Sequence, residues 1–114
     1  MKLYVIGPVS GKQGCNRLAF ERARRRLVEA WYTAAIPHDK IECDAEWSMA
    51  MRQSIREMLS VRMGRPVYAG VAELPGCIGS RGARCERGIC EQMGIPHKSV
   101  DEWVREADAK KGGR

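Results

Sequence analysis

The chain has 114 residues, 44% of them hydrophobic and 30% charged, which argues for one folded domain and against global disorder. No apolar run is long enough to cross a bilayer, so a membrane protein is not expected. The net charge of +6 favours anionic partners such as phosphates and nucleotides.

Lys2-Leu3-Tyr4-Val5-Ile6 predicts a first strand, and Gly7-Pro8-Val9-Ser10-Gly11 a turn-rich loop after it. A helix is expected from about Asn16 to Trp31, capped by Asn16, with Phe20, Ala23, Leu27 and Trp31 on one face. The cluster Arg22, Arg24, Arg25 and Arg26 reads as its solvated face. Residues 32–36 read as a short second strand, closed by Pro37. The next helix is expected from Asp44 to Arg62, with Trp47, Met51, Ile55, Met58 and Leu59 as its core stripe.

Residues 67–74 read as a third strand, with an exit loop over Pro75–Gly79. A helix follows from about Ser80 to Gly94, where glycine suits a C-terminal cap. Ile95-Pro96-His97 reads as a fourth, extended segment. Ser99 with Glu102 three residues on predicts a capping box for a last helix. Residues 108–114 are expected to form a disordered tail.

Strands alternate with helices, which predicts an α/β fold over residues 1–107. The expected form is a small Rossmann-like or flavodoxin-like three-layer sandwich with a parallel sheet of four to five strands. Such sheets bind ligands at the carboxyl ends of their strands, here the 7–11 and 75–80 loops.

Five cysteines, an odd number without C-x-x-C spacing and without a signal-peptide pattern, point to reduced thiols in a cytoplasmic protein. His38 and His97 lie far apart, so no metal site is expected, and no cofactor is implied. Gly7 to Lys12 is one residue short of a P-loop, and Gln13 follows where Ser or Thr is needed, which rejects an NTPase. With three tryptophans, three tyrosines and one phenylalanine, stacking aromatics are too few for a nucleic-acid surface, and nucleic acid is not an expected partner.

The helix after Ser80 carries the chemistry. Gly82, Glu86, Ile89 and Met93 share one face at helical spacing. Glu86 therefore falls on the stripe that should meet the sheet, where a carboxylate is costly unless hydrogen-bonded, paired or facing a cavity. Spacing alone leaves two readings: a working carboxylate, or a structural one tied to an arginine or turned to solvent. Ser80, Arg81 and Gly82 offer a hydroxyl, a guanidinium and free N–H groups at a helix N-terminus, which together suit an anion. The plain alternative is a serine N-cap beside a surface arginine.

The chain resembles the nucleoside 2-deoxyribosyltransferase-like family, in its short phage and bacterial branch. The segments that carry the likeness are residues 2–11, Trp47 with Met51-Arg52, Leu74-Pro75-Gly76, Ser80-Arg81-Gly82-Ala83 with Glu86, and Met93-Gly94-Ile95-Pro96. The resemblance implies a Rossmann-like fold and a homodimer or higher homo-oligomer with shared sites. It implies a nucleophile at Glu86 and a phosphate-binding serine at Ser80. It also implies a sugar pocket near Tyr4, Gly7, Ser10 and Gly11. One departure stands out. An aspartate usual in the family falls here on Ala69, with Glu73 the nearest carboxylate, and Cys77 stands where tryptophan is common. The activity implied is an N-glycosidase or deoxyribosyltransferase on nucleotides or nucleosides. The alternative is a catalytically silent nucleotide-binding relative.

Overall fold

A computed structural model describes residues 1–112, with side-chain surroundings through 110. Its main sheet is parallel and four-stranded. The strands are β1 (Lys2–Ile6), β2 (Thr33–Ala35), β5 (Gly70–Glu73) and β6 (His97–Ser99), in the order β2-β1-β5-β6. The helices are α1 (Arg17–Glu29), α2 (Trp47–Met58), α3 (Arg81–Met93) and α4 (Val100–Gly112). A small antiparallel hairpin, β3 (Val61–Arg62) and β4 (Arg65–Pro66), follows α2.

The period-2 alternation of β1 divides the core. Leu3 and Val5 face one side with Phe20, Leu27, Val100 and Trp103, from α1 and α4. Tyr4 and Ile6 face the other with Met58, Ala83 and Cys90, from α2 and α3. The result is the expected three-layer α/β sandwich. From β1 the chain steps outward to β2, and from β5 it steps outward in the opposite direction to β6. Crossovers of one hand must then place α1 and α3 on opposite faces, as found. The strand order reverses between β1 and β5, and a crevice opens there beyond their carboxyl ends.

Several boundaries move for local reasons. Helix α2 starts at Trp47 because Glu46 caps it, accepting from the Met49 N–H at 3.0 Å. It ends at Met58, and the hairpin takes the residues expected to extend it. Met63 and Gly64 both have positive φ, the conformation of a tight two-residue turn. The third strand of the sheet is only Gly70–Glu73. Asn16 precedes α1 but does not cap it through its side chain. It is left-handed, and its Nδ2 donates to Pro8 O at 2.9 Å instead. Trp31 is 79% exposed, because the chain leaves α1 before it, at positive φ. The Ser99–Glu102 capping box forms as expected, with both bonds at 3.1 Å. Helix α4 continues through Gly112 into the segment read as a tail, while residues 113–114 lie outside those described.

The thiols need a correction. Cys15 and Cys43 form a disulfide, 28 residues apart in sequence, and Cys77, Cys85 and Cys90 are free. No local spacing marks such a pair. The loops after β1 and after β2 bring the two together in space.

Candidate functional site

The crevice at the switch point holds a cavity of about 470 Å³. That size suits a small molecule. The loop after β1 contributes Gly7, Ser10 and Lys12. The 75–80 loop and the start of α3 contribute Ser80, Arg81, Gly82 and Glu86. Helix α2 forms a wall with Trp47, Met51 and Ser54.

Glu86 is the main chemical feature. It lies in the second turn of α3, on the buried stripe Ala83–Glu86–Cys90, and is 5% exposed. The expected face is therefore right at Glu86 but rotated at its far end, where Met93 is exposed. Burial pushes the Glu86 carboxyl up to about 7, against an opposing hydrogen bond from Ser54. The Ser54 hydroxyl donates to Oε2 at 2.5 Å. Near neutral pH the group is thus close to balance between acid and carboxylate.

At the mouth, Ser80 caps α3, its Oγ accepting from the Ala83 N–H at 3.3 Å. The Arg81 guanidinium stacks 4.0 Å above the Trp47 ring. Gly82 lets the backbone approach the wall closely, since a Cβ there would lie 2.9 Å from Met51 Sδ. Gly7 is required by space, since its Cβ would lie 2.8 Å from Leu74 Cβ.

Of the residues expected at the site, Gly7, Ser10, Ser80, Arg81, Gly82 and Glu86 converge on the cavity. Two do not. Gly11 lines the smaller adjoining pocket beside Cys15 and Cys43. Tyr4 is 1% exposed and stands behind Ser54, because β1 points it into the α2–α3 layer. Glu73 is also absent from the cavity. Its Oε2 accepts from Arg87 Nε at 2.9 Å and pairs with His97 Nδ1 at 2.8 Å, stitching β5, α3 and β6 together.

Three wall residues escaped the reading of the sequence. Trp47 and Met51 read as core, yet they are half-buried walls of the cavity. Ser54 follows Trp47 and Met51 at helical spacing. A serine on an otherwise apolar stripe was the available signal.

The fold and the cleft define a small parallel α/β protein with a ligand-sized cavity at its topological switch point. The chain belongs to the family described as Domain of unknown function (DUF4406), whose profile matches residues 1–98. No curated protein and no solved structure matches it.

Proposed function

We propose that the protein cleaves or transfers the N-glycosidic bond of a nucleotide, with Glu86 as nucleophile. The observation that carries this reading is a buried carboxylate, 5% exposed, lining a cavity of about 470 Å³ with no cationic side chain bonded to it among the described residues. A carboxylate kept for structure is normally neutralised by its partners. This one is left to act on a ligand.

The mouth suits a phosphate. Ser80, Arg81 and Gly82 surround the N-terminus of α3, where free N–H groups and the helix dipole favour an anion. Glu86 stands six positions beyond Ser80, a rise of about 9 Å along the helix, which the Glu86 side chain shortens by leaning toward the helix N-terminus. The apolar wall with Trp47 is available to a base.

In the reaction, a Glu86 oxygen bonds to the anomeric carbon as the carbon–nitrogen bond breaks. The base leaves with the bonding pair and takes a proton from water. Water or a second base then attacks the glycosyl ester and returns Glu86 as carboxylate. We further propose that the working form is a homo-oligomer in which neighbouring subunits complete each site.

Incubation with deoxynucleoside 5′-monophosphates should release free base, and Glu86→Gln should abolish release while retaining nucleotide binding. Equal release by the variant would overturn the assignment. A second reading, nucleotide capture without turnover, is favoured by one observation: Glu86 is the single carboxylate among the cavity's lining residues. Calorimetric binding without base release would support that reading instead.

A further inference from the structure

Behind the cavity runs a chain of hydroxyls to which the mechanism above gives no part. Ser54 Oγ donates to Glu86 Oε2 at 2.5 Å and lies 2.9 Å from the Tyr4 hydroxyl. A serine hydroxyl has a single proton. With that proton on the bond to Glu86, Ser54 must accept from Tyr4. Burial holds the Tyr4 phenol well above its ordinary range, so it stays protonated and can serve as that donor. All three side chains are buried, at 1%, 6% and 5% for Tyr4, Ser54 and Glu86. They come from three elements, β1, α2 and α3.

The two oxygens of Glu86 are therefore unequal. Oε2 is engaged, and Oε1 has no hydrogen-bond partner among the described residues. Two other part-buried carboxylates, Glu57 and Glu73, differ. Glu57 has both oxygens engaged, by Lys40 and by Tyr68. Glu73 meets Arg87 and His97. Each of those has a basic partner, whereas Glu86 has one neutral donor and a spare oxygen beside a cavity.

We propose that Ser54 is the positioning residue for Glu86. Its hydroxyl, aligned by Tyr4, fixes Oε2, so that Oε1 is the oxygen presented to a ligand, and it favours the ionised form. This rests on Glu86 being the nucleophile. The groups that face Glu86 are Tyr4 from β1, Ser54 from α2, Cys77 from the loop after β5, and Cys90 from α3. Arg81 and Lys12 share its cavity. Burial pushes both thiols up to about 11, so they are neutral near pH 7. Ser54 is then the group whose removal should move the carboxyl most.

The test is an NMR titration of the ¹³C-labelled Glu86 carboxyl, assigned by its loss in Glu86→Gln. Ser54→Ala should raise the midpoint by about one to two pH units, the worth of one hydrogen bond to a charged acceptor. Ser54→Thr, which keeps the hydroxyl, should restore it. Tyr4→Phe should move it less, since Ser54 can still donate. An unmoved midpoint in a folded Ser54→Ala overturns the proposal. In the base-release assay, Ser54→Ala should lower kcat about tenfold or more at unchanged KM. The rising limb of its pH profile should shift with the NMR midpoint. A shifted midpoint with no base release from the wild type would leave the positioning intact and remove the glycosidase reading. Wild-type release with Ser54→Ala unchanged in both measurements would do the reverse.

Discussion

Replacing Glu86 by glutamine keeps the side chain's shape and removes a buried ionisable group, which makes its cost measurable without any ligand. The carboxyl is raised from an ordinary 4.5 to about 7 in the folded protein. Between those values the unfolded chain has lost the proton and the native state retains it. Folding then takes up a proton, and native stability falls as pH rises through this window. A shift of about 2.5 pH units at roughly 1.36 kcal/mol each gives about 3 kcal/mol. Below the window the group adds no difference, and above it the native state carries the full cost of a buried charge. Glu86→Gln lacks this dependence. Urea unfolding of both proteins from about pH 4 to about pH 8.5 should show the variant gaining on the wild type by about 3 kcal/mol, most of it before about pH 7. Other titrating groups are common to both proteins and cancel in the difference. Stability–pH curves that stay parallel would show that Glu86 ionises freely, and the argument for a desolvated carboxylate would fail.

Gly82→Ala would place a methyl 2.9 Å from Met51 Sδ, at the far part of a flexible side chain. Stability should change by less than about 1 kcal/mol, because helix propensity offsets the crowding, while calorimetry should show nucleotide affinity down about tenfold. Gly70→Ala meets harder neighbours, Trp103 Cζ2 at 2.8 Å and the Pro96 carbonyl at 3.0 Å. It should cost about 1–3 kcal/mol in denaturant unfolding. Cys15→Ser opens a loop spanning 28 residues and should cost about 3–4 kcal/mol, and the unfolded, fully reduced variant should titrate one thiol more than unreduced wild type, whose free thiols are Cys77, Cys85 and Cys90.

Much of the fold was legible because its signals are local. The apolar run Leu3 to Ile6 marks β1, and the strand's pleat sends those residues to the two layers in turn. Ser80 and Gly94 marked both ends of α3, and the structure uses both as caps. The Ser99–Glu102 box worked for the same reason. Errors came where local preference met a competing partner. Asn16 looks like a cap, but the Pro8 carbonyl claims its amide. The apolar stripe of α2 looks like core along its whole length. Only Met58 and its neighbours reach the core, while Trp47 and Met51 border open space.

Local signals along the chain carry the strand at β1, the extent of α3 and the helical face on which Glu86 falls. Strand alternation, helical spacing and caps act over a few residues, and the chain carries them wherever it goes. The tertiary structure alone decided what Glu86 meets. Tyr4 and Ser54 are 50 residues apart, Ser54 and Glu86 are 32 apart, and Cys15 and Cys43 are 28 apart. Contacts at such separations depend on how helices dock on the sheet. No periodicity encodes them, so the helical face that holds Glu86 can be read along the chain, while its meeting with Ser54 is fixed only by the docked helices.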